Sequence, residues 1–178
     1  MNFRAAMKED LPRIWEITNM AKAQLKGLGL DQWQTGYPSL ENWQEDIAGD
    51  MAYVAEEDAI VLGAFAYQVT PDVSYGFIEN GAWLTEGPYA SMHRVIVADG
   101  CKGKGLAGKM FEHGFSMAKR DGFGSVRIDT HPGNLPMQHA LKKAGFLACG
   151  DIYLALGPEK GERRIGFERL LQEDPKIK

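Results

Sequence analysis

The sequence predicts an α+β domain built on a mixed β-sheet, and three features of its hydrophobic pattern lead to this class. Helical periodicity prevails in residues 11–47, β-type runs prevail in residues 51–97, and helix-like and strand-like segments alternate afterwards. Hairpins give antiparallel pairs and strand–helix–strand units give parallel pairs, so this order favours a mixed sheet covered by helices. The length of 178 residues suffices for one such domain with a full core.

The amino-terminal part is predicted to form a short strand and two helices. Asp10 is a favourable N-cap and Pro12 fits the first helical turn, so the first helix starts there. Ser39 caps the second helix, with Asn42 at the capping-box position where Glu or Gln is usual. The predicted elements are a strand at 3–6, a helix from 11 to the glycines at 27 and 29, and a helix at 40–47.

The middle of the chain is predicted to be β-structure. Residues 51–56 and 60–68 flank an acidic turn and are predicted to form a hairpin. Residues 75–79 are predicted as a further strand. Residues 89–97 are predicted as a long strand that ends in the β-branched run Val95–Val97, which favours a buried position.

Helices and strands are predicted to alternate in the last part of the chain. Apolar residues recur at helical spacing from Leu106 to Ala118. Gly145 ends a later helix, and Pro136 must lie in the first turn of that helix. The predicted elements are helices ending near 119 and spanning 134–144, and strands at 125–129, 146–156 and 164–171. We expect a single domain over residues 1–171, followed by a polar tail at 172–178.

Composition and charge indicate a small anionic ligand rather than nucleic acid. The net charge is −4, and the lysines cluster locally instead of spreading over a basic face. Two cysteines and four histidines lack the spacing of a disulfide framework or a metal site, so neither is expected. No apolar run approaches ~18 residues, and the amino terminus lacks the apolar core of a signal peptide. These features predict a cytoplasmic protein without a membrane partner.

The segment from Val95 to Phe111 has the pattern of a phosphate-binding cradle. The strand ending at Val97 is followed by a loop with three glycines and two lysines, and then by helical periodicity from Leu106 with a further lysine at 109. Glycines allow the backbone to approach a ligand closely, and the exposed N–H groups of a helix start attract anions. The sequence therefore predicts a phosphorylated ligand at this loop.

Two named motifs compete for this loop. Residues 103–108 spell G-x-G-x-x-G, and Asp129 follows about twenty residues later, as a dinucleotide-binding fingerprint requires. Residues 103–109 also spell G-x-x-x-x-G-K, but Met110 occupies the position where a P-loop has Ser or Thr. About a hundred residues precede the loop, whereas a Rossmann unit usually starts with it. Both alternatives are therefore less favoured.

A third pattern has a basic residue or Gln, two residues, Gly, one residue, and then Gly or Ala. Lys102, Gly105 and Ala107 fit it, and it resembles the acyl-CoA pyrophosphate loop of the GNAT superfamily of N-acyltransferases. A second motif is similar to the family's Asn-led helix that ends in Gly-Phe. Its residues are Asn134, Met137, Leu141, Gly145 and Phe146. The resemblance covers nearly the whole chain.

The resemblance implies a mostly antiparallel central sheet that is flanked by helices and splayed at the acyl-CoA-binding strand. The splayed strand would offer main-chain groups to the pantetheine amides, and the loop would wrap the pyrophosphate. The residues implied to bind acetyl-CoA are Val95, Ile96, Val97, Lys102, Gly103, Lys104, Gly105, Leu106, Ala107, Gly108, Asn134 and Met137. Dimers are common in the family, which leaves a homodimer open.

The implied function is transfer of an acetyl group from acetyl-CoA to an amine of an unidentified acceptor, by direct attack on the thioester. One departure from the family stands at Leu141, where Tyr is frequent and can protonate the leaving thiolate. Leucine cannot do so. If residue 141 faces the thioester sulfur, this helix therefore supplies no general acid. A CoA-binding protein with little or no catalysis, and a Rossmann-type dinucleotide binder, are the alternatives.

His93 and Glu79 are the candidate catalytic residues. His93 precedes Val95 and Val97 by two and four residues, so it is predicted to share their strand face and to accept the proton of an amine. Glu79 can bind or deprotonate an amine, and His131 follows a strand end at the same sheet edge. Each of the three can instead serve a structural role. The aromatic candidates for the acceptor pocket are Trp33, Tyr37 and Trp83.

Overall fold

Seven strands and four α-helices make up the computed structural model, which describes residues 1–171. The strands are β1 (Asn2–Ala5), β2 (Ala52–Glu57), β3 (Ile60–Gln68), β4 (Tyr89–Val97), β5 (Ser125–Thr130), β6 (Leu147–Tyr153) and β7 (Arg163–Leu170). The helices are α1 (Leu11–Gly27), α2 (Leu40–Ala48), α3 (Leu106–Arg120) and α4 (Leu135–Lys143). The predicted polar tail, 172–178, lies outside the described residues.

The strands form one sheet in the order β1-β2-β3-β4-β5-β7-β6. Every neighbouring pair is antiparallel except β4 and β5, which are parallel and connected through α3. The predicted class, a mixed and mostly antiparallel sheet flanked by helices, is confirmed. The capping box at Ser39 and Asn42 is also present, since each side chain accepts a hydrogen bond from the other's backbone N–H.

Strands β4 and β5 separate part-way along their length, which confirms the predicted splay. They pair only from Tyr89 to Ser91 on β4 and from Ser125 to Arg127 on β5. Beyond these pairs, residues 92–97 and 128–130 no longer meet. The two strands therefore leave an opening in the middle of the sheet.

A β-bulge at Arg94 changes which residues of β4 share a face. His93 pairs with Ala66 and Ile96 pairs with Ala64, so β4 has one more residue than β3 between these pairs. Arg94 has φ 52, in the left-handed region that non-glycine residues rarely adopt. Because the extra residue shifts the alternation, His93 shares a face with Ile96. The prediction that it shares a face with Val95 and Val97 was wrong.

Helices cover both faces of the sheet and create two hydrophobic clusters. One cluster joins buried residues of α3 and α4, such as Phe111 and Leu141, to the sheet. The other joins α1 and α2 to the opposite face and includes Ile14 and Trp43, both completely buried. The Trp43 indole N–H donates to the hydroxyl of Thr18 across 2.9 Å, so its polar atom is also satisfied. Both faces are thus closed except where β4 and β5 separate.

The predicted strand at 75–79 is not formed. Residues Val73–Tyr75 form a 3-10 turn that begins at Asp72, whose carboxylate accepts the backbone N–H of Ser74 at 2.7 Å. Glu79 makes only an isolated bridge to Asp151, with two backbone hydrogen bonds of 2.8 Å. Apart from this bridge, residues 75–79 have no strand beside them among the described residues, so they do not form a ladder. The predicted strand at 146–156 likewise ends early, at Tyr153.

Candidate active site

A cavity of about 1590 Å³ lies where β4 and β5 separate. The splayed end of β4 and the start of α3 form one part of its lining. The irregular segment 32–39, the turn after Asp72 and the β6–β7 loop form another part. We call the first part the cradle end and the second part the acceptor end.

The cradle end is formed by the glycine-rich loop and the start of α3. Gly103 and Gly105 have φ values of 72 and 80, which side chains disfavour, and an added Cβ at either would meet nothing within 4 Å. Gly105 is the N-cap of α3 and provides no side-chain cap. The first N–H groups of α3 therefore lack an intrahelical partner and can bind an anion at the cavity.

Lysine side chains add positive charge to the cradle end. Lys102, Lys109 and Lys143 line the cavity there, together with one carboxylate, Glu112. Lys102 forms an ion pair with Asp99. Glycine backbone, helix start and lysines together suit a pyrophosphate group.

Asn134 links the start of α4 to the acceptor segment. Its side-chain oxygen accepts the backbone N–H of Met137 at 3.2 Å and so caps α4. Its side-chain nitrogen donates to the side-chain oxygen of Gln32, also at 3.2 Å. Both residues are buried, and both line the cavity. One N–H of the Asn134 amide remains for a ligand.

His93 lines the cavity, and its side chain is 12% exposed. Its Nε2 atom lies 3.1 Å from the Ser91 hydroxyl and 3.6 Å from Oδ2 of Asp72. Burial, with a further contribution from Arg94, lowers the pKa of His93 to about 4. The imidazole is therefore neutral at pH 7.

Arg94 connects the bulge to the acceptor end. Its guanidinium donates two hydrogen bonds to the buried carboxylate of Asp46, at 2.8 and 2.7 Å. A third bond, 2.7 Å long, reaches the hydroxyl of Tyr37. Because Asp46 compensates its charge, Arg94 acts as a clamp between β4, α2 and the segment that carries Tyr37.

Asp129 is a candidate functional residue that the sequence analysis considered only as part of a dinucleotide fingerprint. It stands on β5 just beyond the last pair with β4 and lines the cavity. The Tyr75 hydroxyl donates to its Oδ1 atom across 2.8 Å. Burial raises the pKa of Asp129 to about 6, against the lowering effects of the Tyr75 hydrogen bond and of Arg164. The sequence signal that could have identified Asp129 was its position at the end of a predicted strand.

Glu159 and Arg164 form a buried ion pair at the acceptor end. Nη2 of Arg164 lies 2.9 Å from Oε2 of Glu159, and both side chains line the cavity. Glu159 also accepts the backbone N–H of Trp33. Trp33 has φ 64, so this bond helps to hold a conformation that bulky residues rarely adopt. The sequence offered no local signal for this pairing across 126 residues.

A model of the Acetyltransferase (GNAT) family matches residues 11–146. The chain belongs to this family. A GNAT-family acetyltransferase from Streptococcus agalactiae 2603 is similar over 97% of this chain and 96% of its own, with 27% identity and a TM-score of 0.85. A Salmonella typhimurium protein solved with its cofactor acetyl-CoA has 18% identity and a TM-score of 0.68, over 100% of this chain and 98% of its own. A search of curated proteins found no match.

Most residues that the GNAT resemblance implies for acetyl-CoA line the cavity. They are Val95, Ile96, Val97, Lys102, Gly103, Gly105, Leu106, Ala107, Gly108, Asn134 and Met137. Lys104 is exposed and does not line it. The structure thus brings the two GNAT motifs, which are about thirty residues apart in sequence, to the same cavity.

Leu141, where the GNAT motif often has Tyr, does not line the cavity. It is completely buried and belongs to the cluster that contains Phe111 and Phe146. Its neighbour Ala140 lines the cavity instead. An apolar side chain at 141 is therefore explained by packing in this GNAT protein.

Other candidates from the sequence lie outside the GNAT cavity. Glu79 is exposed and is held through its backbone to Asp151. Nε2 of His131 lies 3.1 Å from Oδ1 of Asp31. Trp83 packs on the Arg127 guanidinium, 4.3 Å from the ring centroid. Of the three aromatic candidates, only Trp33 and Tyr37 line the cavity.

Within residues 1–171, no group of three or more His, Cys, Asp or Glu side chains could hold a metal ion. Over the same part of the chain, no helix is long and apolar enough to span a membrane.

Proposed function

We propose that this GNAT acetyltransferase moves the acetyl group of acetyl-CoA to a primary amine by direct attack of the amine on the thioester. One observation carries the proposal: the cavity at the splayed strands joins a phosphate cradle at one end to a set of carboxylates at the other. A single cavity can then hold the anionic donor and a cationic amine side by side. Much of the rate would come from this alignment.

The cradle end fits the donor. The amides at the start of α3 and the side chain of Lys102 bind the pyrophosphate, and the glycines at 103 and 105 leave room for it. The unpaired edge of β4 from Val95 to Val97 offers main-chain groups to the pantetheine amides. Asn134 adds its remaining amide N–H. Lys104 has no role in this arrangement because it does not line the cavity.

Asp129 is the better candidate for the base, although the sequence analysis favoured His93. A primary amine is an ammonium ion in water and must lose a proton before it attacks. A base works best when its pKa is near the operating pH. Burial raises the pKa of Asp129 to about 6 and lowers that of His93 to about 4, so Asp129 is the stronger base of the two. His93 then serves as a neutral side chain in the cavity wall, and Glu79, which does not line the cavity, takes no part.

The step balances without a metal or a redox partner. Asp129 takes one proton from the ammonium ion, the amine nitrogen then forms a bond to the acetyl carbon, and the carbon–sulfur bond breaks. The second proton that the nitrogen loses goes to water. CoA leaves as the thiolate. A thiol pKa of about 8.5 makes this departure possible without a phenol at position 141.

A thiol-release assay tests the proposal. The purified protein is mixed with acetyl-CoA and a panel of primary amines, and both free thiol and acetylated product are measured. We expect amine-dependent thiol release with an equal amount of N-acetyl product. Tight CoA binding without release for any amine would instead support a CoA-binding protein, and tighter binding of NAD than of CoA would support a dinucleotide binder.

The cytoplasmic location, the homodimer and the lack of nucleic-acid or membrane partners stay predictions from the sequence.

A further inference from the structure

Carboxylates at the acceptor end outnumber the cations that compensate them. Asp72, Asp129 and Glu159 line this end, and Arg164 pairs with Glu159. Among residues 1–171, neither Asp72 nor Asp129 forms a salt bridge to a Lys or Arg side chain. Arg94 also lines this end, but its charge is matched by Asp46. Two negative charges are thus left facing the cavity.

Asp72 and Asp129 come from different elements and interact differently. Oδ1 of Asp72 accepts the Ser74 N–H, whereas Oδ2 lies 3.6 Å from Nε2 of the neutral imidazole of His93. Asp129 accepts the Tyr75 hydroxyl. Asp72 is close enough to Asp129 to raise its pKa further. A positively charged ligand near both groups would relieve this repulsion.

Thr130 gives an independent indication of a missing hydrogen-bonding group. It follows Asp129 on β5, lines the cavity, and is 1% exposed. Its hydroxyl oxygen is buried and has no hydrogen-bond partner in the described part of the chain. Buried polar atoms normally have a partner, so this hydroxyl is free to form a hydrogen bond with a group that arrives with the ligand. An ammonium group brings three donors.

Aromatic rings complete the acceptor end. Trp33 and Tyr37 line it, with their ring centroids 6.5 Å apart in an edge-to-face arrangement. Aromatic faces stabilise ammonium groups, and their surface also suits a methylene chain. Within residues 1–171, the carboxylates without a cationic partner, the unpartnered Thr130 hydroxyl and the aromatic rings all fit a ligand that carries an ammonium group.

We propose that the acceptor is a primary amine that carries a second ammonium group, of which an aliphatic diamine is the simplest example. This inference rests on the proposed acetyl transfer. Asp129 faces the amine that loses its proton and becomes acetylated, and Asp72 holds the second ammonium group, which stays charged throughout. The new amide bond and the broken thioester are those of the reaction above.

The test compares acceptors that share a chain and differ only in the terminal charge. For each chain length, the assay uses an α,ω-diamine, the n-alkylamine and the ω-amino acid, for example 1,4-diaminobutane, butylamine and 4-aminobutanoate. We expect kcat/KM to fall in that order, by about tenfold or more at each step for the best chain length. Calorimetry on the CoA-bound protein should show the same order of affinity.

Asp72→Asn tests the residue that sets this preference. Asn also caps turns, so the 3-10 turn should be kept. We expect the ratio of diamine to alkylamine kcat/KM to fall about tenfold, mainly through KM for the diamine. Asp58→Asn is the matched control, because Asp58 lies in the exposed turn between β2 and β3, and its φ of 50 suits Asn. Its ratio should equal that of the wild type.

The outcomes separate this inference from the proposed function. Thiol release that is as fast with alkylamines or ω-amino acids as with diamines would overturn the diamine inference and leave acetyl transfer standing. A preference for peptide amino termini over diamines would do the same. An unchanged ratio in Asp72→Asn would overturn the role of Asp72. No release with any amine would overturn both proposals.

Discussion

The hydroxyl of Tyr75 donates a hydrogen bond to the carboxylate of Asp129 across 2.8 Å, at the point where β5 leaves β4. Tyr75 is almost completely buried, and its ring stacks near the imidazole of His93 with 5.9 Å between centroids. A donor stabilises the charged form of a carboxylate and so lowers its pKa. Tyr75 therefore limits how far burial can raise the pKa of Asp129.

Tyr75→Phe should move the acidic limb of the kcat/KM profile to higher pH. The variant loses the hydrogen bond that lowers the pKa of Asp129, so this pKa rises above about 6. Since the base must be deprotonated, activity then falls off at a higher pH. The amine's own titration is the same in both proteins, so the difference isolates Asp129. Tyr89→Phe is the control, because the Tyr89 ring also lies near Tyr75; a shift of equal size there would contradict the assignment.

Asp129→Asn should lower kcat/KM about 10²- to 10⁴-fold while the protein stays folded. Asn can still accept the Tyr75 hydrogen bond but cannot take a proton. The raised pKa of Asp129 means that its ionisation destabilises the fold as pH rises from about 4 to about 6. The unfolding midpoint of the variant at pH 7 should therefore be equal or higher. His93→Gln, measured in parallel, should cost less than about tenfold; the reverse order would return the role of base to His93.

His93→Gln should flatten the dependence of stability on pH between about 4 and 6.5. His93 has a lowered pKa in the folded protein, so the unfolded chain binds more protons in this range. This group therefore makes the wild type lose stability as pH falls. Urea unfolding at pH 7 and at pH 5 measures the loss. An equal loss in the variant would show that other groups cause it.

Gly105→Val should abolish CoA binding and leave the domain folded. Its φ of 80 strains a β-branched residue by about 1–2 kcal/mol, and the new side chain occupies space that the pyrophosphate needs. Calorimetry with CoA measures the binding, and circular dichroism measures the fold. Gly100→Ala is the control, because Gly100 lies in the 3-10 turn Asp99–Cys101 at the start of the loop, has no positive φ, and its Cβ would meet nothing within 4 Å. CoA binding retained by the Val variant would rule out the cradle as the phosphate site.

Leu141→Tyr should destabilise the protein and should not raise turnover. Leu141 is completely buried in the α3–α4 cluster, so the larger ring overpacks it at a cost of about 1–3 kcal/mol. We expect the melting temperature to fall by about 3–10 °C. Leu141→Met, a change of similar volume, should cost less than about 1.5 kcal/mol. A stable Tyr variant with faster turnover would place residue 141 at the thioester after all.

The order of elements and the cradle followed from the sequence because their signals are local. Helical periodicity, the Ser39–Asn42 capping box and the glycine-rich loop each lie within a few residues of one another. The glycines of a phosphate-binding loop are close together in sequence, so they can be recognised without knowing the tertiary structure. The two GNAT motifs could therefore be recognised before their contact was known.

Only the tertiary structure decided what stands at the acceptor end. Asp72, Asp129 and Glu159 lie in three segments far apart in sequence, and they meet because β4, β5 and the β6–β7 loop converge on one cavity. The bulge at Arg94 arises from pairing with β3, which no local pattern encodes, and it moved His93 to the other strand face. Burial likewise separates the pKa values of His93 and Asp129 and places Leu141 in the core. Residue type supplies the titratable group, but the packing around it sets its charge.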